Sequence, residues 1–196
     1  MDEAAVVGER ETFLAWLQEQ DARKVKFLDE SGSHIARTPL RGRAPSGQRL
    51  QEAVPRNRGT VTTLLAAIGL EGMFALMTIE GGTSGEVFTA YVTDILVPTL
   101  KPGDIVVADN LAAHKVPAAR AAIEAVGASL HFQPRYSPDL NPIEHAWSKV
   151  KQAMRRMKPR SIEELDQAFA TAAGQVTQGD AQGWFDHCAS RPAQWS

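Results

Sequence analysis

The sequence predicts an α/β layer architecture, a mixed sheet with helices on its faces, and three observations carry that expectation. Residues 60–68 and 73–79 are β-branched and apolar runs on either side of Gly69-Leu70-Glu71-Gly72, which reads as an antiparallel hairpin. Residues 104–108 (DIVVA) form a continuous apolar run, as a strand buried on both sides requires. Helical spacings alternate with short strands around that run, a pattern met by right-handed crossovers over a sheet.

In chain order, Val7, Phe13, Leu14 and Leu17 recur at roughly helical spacing, so residues 4–20 are expected to be an amphipathic helix. Val25-Lys26-Phe27-Leu28-Asp29 alternates as a short strand and should stop at Ser31-Gly32-Ser33. Residues 38–59 contain three prolines and three glycines, the composition of a loop. Beyond the hairpin, Thr83-Ser84-Gly85-Glu86 has the form of a capping box. Behind it Val87, Phe88, Tyr91, Val92, Ile95 and Leu96 mark one face of a helix ended by Pro98 and Pro102-Gly103. Pro117 opens a further helix that Gly127 closes, and residues 129–132 form another strand. Helices over 141 to about 157 and 161 to about 173 complete the pattern, the second opened by Ser161 and Glu164 as a capping box. The expected organisation is a leading helix over 1–22, one domain over 23–175 and a C-terminal tail over 176–196.

The 196-residue chain is 43% apolar and 22% charged with a formal net charge of −2, which excludes a disordered chain and suits one buried core. Cys188 is the only cysteine, so no disulfide forms within the chain and a reducing cytoplasm is the expected setting. The acidic start has no apolar segment of a secretory signal, and no run approaches the roughly 18 apolar residues of a membrane span. Charge is unevenly placed. Six arginines (Arg37, Arg41, Arg43, Arg49, Arg56, Arg58) stand against Glu52 alone, and Lys149, Lys151, Arg155, Arg156, Lys158 and Arg160 follow one another with no acid between. Such local clusters suit a polyanion, although two solvated faces would read the same way.

Three carboxylates fall at the ends of elements. Asp29 ends the first expected strand and Asp109 follows the DIVVA strand, where ligands of open α/β sheets collect. Each is also an ordinary turn former. Glu144 occupies the third position of a helix capped by Asn141 and begun by Pro142, where a glutamate can reach back to the cap. Convergence would change these readings. Two like charges about 4 Å apart cost roughly 4 kcal/mol at an effective dielectric of 20, so a convergent trio takes up protons or binds cations. Hard oxygen ligands favour Mg²⁺ or Mn²⁺, and two such ions serve in-line phosphoryl displacement.

Phe27-Leu28-Asp29-Glu30-Ser31-Gly32, Val107-Ala108-Asp109-Asn110 with His114 beyond it, and Tyr136-Ser137-Pro138-Asp139-Leu140-Asn141-Pro142-Ile143-Glu144-His145-Ala146-Trp147 resemble the three signature blocks of mariner-type DDE transposases of bacterial insertion sequences. The 34 residues between Asp109 and Glu144 are similar to that family's spacing. Arg41-Gly42-Arg43-Ala44-Pro45 and Glu80-Gly81-Gly82-Thr83 also resemble family segments, so the likeness spans about residues 9–185. The resemblance implies a ribonuclease-H-like mixed sheet flanked by helices, and metal-dependent cleavage and joining of DNA strands during movement of an insertion sequence. Asp29, Asp109 and Glu144 would be catalytic residues and ligands of two Mg²⁺ (or Mn²⁺) ions. Relatives carry helix-turn-helix modules ahead of the catalytic domain. Only a short acidic helix stands there, which implies a catalytic half whose DNA-recognition half comes from an upstream reading frame, or a truncated remnant. A homodimer on DNA, in the cytoplasm with the nucleoid, is the implied setting.

For this reading Arg41, Arg43, Lys149, Lys151, Arg155 and Arg156 are expected phosphate contacts, positioning DNA without reading it. Asn110, His114 and His145 are expected behind the ligands, with a structural loop contact as the equal alternative for His114. Asp139 is the rival third carboxylate but fits a role in the Ser-Pro-Asp turn. Glu30 should face away from Asp29 if the strand persists, and Trp147 reads as core packing. No Gly-x-Ser-x-Gly elbow or Cys/His pair argues for a covalent intermediate. The competing readings are a hydrolytic nuclease of the same fold, an inactive DNA-binding remnant, and a phosphatase-like hydrolase. The last would need a second aspartate where Ser31 stands.

Overall fold

The computed structural model describes residues 3–39, 43–49, 51, 54 and 59–190. Helix α1 (Glu3–Gln18) leads into strand β1 (Val25–Ser33), the hairpin β2 (Thr62–Gly69) and β3 (Gly72–Glu80), and helix α2 (Gly85–Ala90). Strand β4 (Ile105–Ala108), helix α3 (Pro117–Ala125) and strand β5 (Ser129–Phe132) follow. Helices α4 (Pro142–Met157), α5 (Ile162–Ala173) and α6 (Gln178–Ala189) close the chain. The five strands form one sheet in the order β3-β2-β1-β4-β5. β1 pairs antiparallel with β2 and parallel with β4, and β5 adds parallel to β4. This is the mixed sheet expected from the hairpin and the DIVVA run.

Strand alternation sorts the core into two layers. Val25 and Phe27 of β1, Leu64, Ala66 and Ile68 of β2, and Val107 of β4 pack with Phe13 and Leu14 of α1 and with α4, α5 and α6. Leu28, Leu65, Ala67, Val106 and Ala108 face the other way, onto α2, the turns after it, and α3. The hairpin turns tightly at Gly72, whose φ of +121° and 2.8 Å spacing between a built Cβ and the Val176 carbonyl oxygen leave no room for a side chain.

Four local expectations are corrected. β1 does not stop at Ser31 but runs through Ser33, because Ser31, Gly32 and Ser33 pair with Leu64, Thr63 and Thr62 and the two serines are buried. A completed ladder outweighs turn propensity there. Ser84, not Thr83, caps α2 and accepts from the Val87 N–H, which puts Glu86 out of position to close a box. That helix gives way to a π-helical turn over Tyr91–Leu96 and a 3₁₀ turn over Val97–Thr99, since Pro98 has no N–H to continue the ladder. The segment 176–196, expected as a tail, contains α6, and Ala181 and Phe185 of that helix belong to the core. Its Thr177 and Asp180 form a capping box too short on apolar periodicity to be read from the sequence.

Candidate active site

Register places the first two acids side by side. Parallel pairing of β1 and β4 ends at Leu28 opposite Ala108, so Asp29 and Asp109 occupy the next positions on neighbouring strands. Such strands lie about 4.8 Å apart. Asp29 falls on the face shared by Val25 and Phe27, toward α4, and is 9% exposed. Glu144 projects from the first turn of α4. Its Asn141 cap accepts from the Ile143 N–H, and no back-bond from Glu144 forms. The carboxylate instead lines an open cleft of about 420 Å³ together with Asp29, Asp109, Asn110, Gln133 and Asn141.

The charges of Glu144 and Asp109 both bear on the Asp29 carboxyl. Burial above all, with the charges of Glu144 and Asp109 acting in the same direction, pushes the Asp29 carboxyl up to about 7. The Glu30 backbone N–H and the Trp147 indole oppose them without cancelling the rise. Among the described residues, no three His, Cys, Asp or Glu side chains stand close enough together to hold a metal ion as they are placed, the three acids of the cleft included. The three carboxylates share the lining of one cleft.

Two of the three acids, Asp29 and Asp109, are held by neighbours. Trp147, expected as core packing alone, is buried against Phe169 and donates its indole N–H to Asp29 Oδ2 at 3.2 Å. It lies three residues after Glu144, so a single helix face carries one acid and the donor to another. Asp109 Oδ1 accepts from the Leu111 N–H at 3.1 Å and contacts His114 Nδ1. His114 is fully buried, packs on Phe88 and meets Glu30 Oε1 through Nε2 at 3.1 Å. Burial works against charge on this imidazole, but the bonds and charges of Asp109 and Glu30 outweigh it and raise its pKa to about 9. Glu30 faces away from Asp29, as strand alternation requires.

His145 is corrected. It stacks against Trp184 and meets His187 edge-on at 5.3 Å, on the α6 side of α4 rather than behind the acids. Asp139 is taken up by Arg10, whose guanidinium is 1% exposed and donates to both carboxylate oxygens at 2.9 and 2.7 Å. That pair ties α1 to the turn preceding α4.

The basic residues divide by helix face. Lys151 and Arg155 follow Glu144 at seven and eleven residues and share its side of α4. Burial and the neighbouring Arg37 lower the Lys151 pKa, while Glu144 and Asp29 raise it, so the ammonium lies within the field of the acids. Arg37 joins this cluster: it is half-buried, donates to Ser33 Oγ and the Gly32 carbonyl, and feels Arg155. Lys149 is corrected, because its ammonium is engaged by Asp180 of α6. Arg156 lies on the Lys149 side of the helix and is exposed. Arg43 is exposed in irregular chain, and Arg41 lies outside the described residues. Asn110 lines the cleft with its side-chain oxygen buried and without a partner.

A mixed sheet in this order, with acids beside β1 and β4 and on the helix after β5, defines a ribonuclease-H-like fold. Within that class the chain belongs to the DDE superfamily endonuclease family, whose pattern matches residues 24–166. Among solved structures it is similar to the Mos1 mariner paired-end complex with Mn, at TM-score 0.74 and 16% identity, covering 95% of this chain and 59% of that one. The Mos1 strand transfer complex matches at TM-score 0.72 and 14% identity, covering 97% and 61%. The catalytic domain of Mos1 mariner transposase matches at TM-score 0.69 and 13% identity, covering 98% of this chain and 94% of that one. The chain thus spans about three fifths of the longer Mos1 chains. No curated relative matches it. Among the described residues, no helix is long and apolar enough to cross a membrane.

Proposed function

We propose that this chain is the catalytic domain of a mariner-type transposase, cleaving DNA at the ends of an insertion sequence and joining the freed strand to a target. The observation that carries the reading is the shared cleft of Asp29, Asp109 and Glu144, in which burial, and then the charges of the other two acids, push the Asp29 carboxyl up to about 7. Three carboxylates and no sulfur or free imidazole form a hard-oxygen donor set, which fits Mg²⁺ or Mn²⁺, and two ions are the proposed complement. Bound there, such ions would act as Lewis acids on the attacking and leaving oxygens of a phosphodiester. Support comes also from the matched Mos1 structures, which include paired-end complexes with Mn and with Mg.

The chain's own groups divide the remaining work. Trp147 holds Asp29 and His114 holds Asp109, so that neither carboxylate must be reoriented as substrate arrives. Lys151, Arg155 and Arg37 present positive charge beside the acids and hold the flanking phosphates. Arg43 and Arg156 extend that surface. The reading includes a helix-turn-helix half supplied from an upstream reading frame, a homodimer on DNA, and a place on the nucleoid in the cytoplasm.

The test is an assay of labelled element-end DNA with Mg²⁺ or Mn²⁺ and an unlabelled target. Products joined to the target are expected. Hydrolysis without joining would favour a nuclease, and no metal-dependent product from the complete protein would favour a DNA-binding remnant.

A further inference from the structure

Arg37 stands beside α4 against repulsion. Arg155 acts on its charge, and both of these arginines act on Lys151. Like charges in one field push apart, so the segment that carries Arg37 has to be held. Its side chain is folded back along the end of β1, with Nε donating to Ser33 Oγ at 2.8 Å and a terminal nitrogen to the Gly32 carbonyl at 2.7 Å. Its carbonyl is taken from another side. One terminal nitrogen of Arg160, in the turn between α4 and α5, donates to the carbonyls of Arg37 at 2.9 Å, Ile35 at 3.2 Å and Pro159 at 3.1 Å. That turn is itself fixed. Lys158 caps α4 at a left-handed φ of +55°, Pro159 is buried, and the Arg160 backbone N–H donates to Glu164 Oε2 at 2.6 Å. The chain also returns to this place after the arginine-rich segment, since a Cβ built at Gly59 lies 3.4 Å from Ile35 Cδ1.

By sequence Arg160 belongs to the basic run that follows Glu144, where it looks like one more cation for DNA. A guanidinium engaged by three carbonyls does different work. We propose that Arg160 is a positioning residue for the DNA reaction: it fastens residues 35–37 to the turn between α4 and α5, keeps Arg37 beside Lys151 and Arg155, and touches no phosphate itself. An arginine suits the task, because its planar head serves several carbonyls at once and stays charged at any working pH. Hydrogen bonds from a charged donor are the stronger kind, which is what opposing a cluster of like charges requires. The inference rests on the reading of Arg37, Lys151 and Arg155 as phosphate contacts.

The test is fluorescence anisotropy of the chain on a labelled DNA duplex, with Ca²⁺ in place of Mg²⁺, repeated over a range of salt. Arg37→Gln is expected to shallow the dependence of log affinity on log salt by about one unit. Arg160→Met is expected to shallow it by the same amount, and the double variant by no more than either, because both remove one contact. Arg160→Gln, uncharged but still a donor to the carbonyls, is expected to stay near the wild-type slope. A loss of about two units in the double variant, or equal losses for Arg160→Gln and Arg160→Met, would make Arg160 a phosphate contact. An unchanged slope in Arg160→Met would make it a structural tie alone. Each of these results overturns the proposal. Phenylglyoxal modification of the wild type, read by mass spectrometry with and without the duplex, asks the same question without a variant. DNA is expected to shield Arg37 and leave the reactivity of Arg160 unchanged, and shielding of Arg160 overturns the proposal. A slope that Arg37→Gln leaves unchanged overturns instead the reading of Arg37 as a phosphate contact.

Discussion

Trp147 donates from Nε1 to Asp29 Oδ2 at 3.2 Å, across the space between α4 and β1. Because Glu144 lies one turn earlier on the same helix, the placement of two acids from distant parts of the chain is set by one rigid element. A tryptophan is also the donor best suited to this position. It fills the core beside Phe169 with its ring and still brings an N–H to the edge of the cleft.

Trp147→Phe keeps the ring and removes the donor. A hydrogen bond to a charged group contributes about 1.5–3 kcal/mol, and its loss leaves Asp29 still harder to ionise. Mn²⁺ affinity measured by calorimetry is expected to fall about tenfold or more at pH 7 and to recover much of that loss at pH 9. A loss of equal size at both pH values would assign Trp147 to packing alone.

The metal-free protein should be stabilised by removing the charge it strains to hold. The Asp29 carboxyl rises from its ordinary 3.8 to about 7 on folding, so the folded state binds the proton more tightly than the unfolded chain. That contribution is complete below about pH 4 and is lost as the pH rises through 7, with a limiting slope of about 1.4 kcal/mol per unit. In urea denaturation with EDTA, Asp29→Asn is therefore expected to gain stability relative to the wild type between pH 4 and 8. A difference that stays constant over that range would contradict the assigned cause.

Arg10 and Asp139 make a pair whose cationic side is fully buried. Removing one partner leaves the other charge without its main counter-ion, which typically costs about 3 kcal/mol or more. Asp139→Ala is expected to lower the denaturation midpoint accordingly. Arg10→Met, which restores volume without charge, should be the milder change. Equal tolerance of Asp139→Ala would show that α1 is not anchored through this pair.

The face division of α4 separates lysines that look alike in the sequence. Neutralising a true phosphate contact shallows the dependence of log affinity on log salt by about one unit. Lys151→Gln and Arg155→Gln are expected to do so in DNA titrations, whereas Lys149→Gln, whose native ammonium is engaged by Asp180, should leave the slope unchanged. A reduced slope for Lys149→Gln alone would reverse the assignment of faces.

Much of this was legible in residue order, and the exceptions have physical causes. The hairpin, the DIVVA strand and the Asn141-Pro142 helix start are local signals, and each appears within a residue or two of where periodicity puts it. The end of β1 was misread because Ser31-Gly32-Ser33 has turn chemistry locally, while its ladder partner lies some thirty residues on in β2. α6 was missed because its apolar residues are sparse and its core contacts come from α4, α1 and the sheet, which no local window contains. The roles of Trp147 and Lys149 depend on what faces them across a tertiary gap. Helical spacing does place Trp147 beside Glu144, so that signal was present in the sequence but silent about Asp29. Gln133, which lines the cleft, gave no signal at all.

Electron paramagnetic resonance of Mn²⁺ titrated into the chain addresses the trio itself, since it reads occupancy without requiring turnover or a DNA partner. The wild type is expected to bind Mn²⁺, and Asp29→Asn, Asp109→Asn and Glu144→Gln should each weaken binding at least about tenfold. Undiminished affinity in any one of the three would remove that carboxylate from the site.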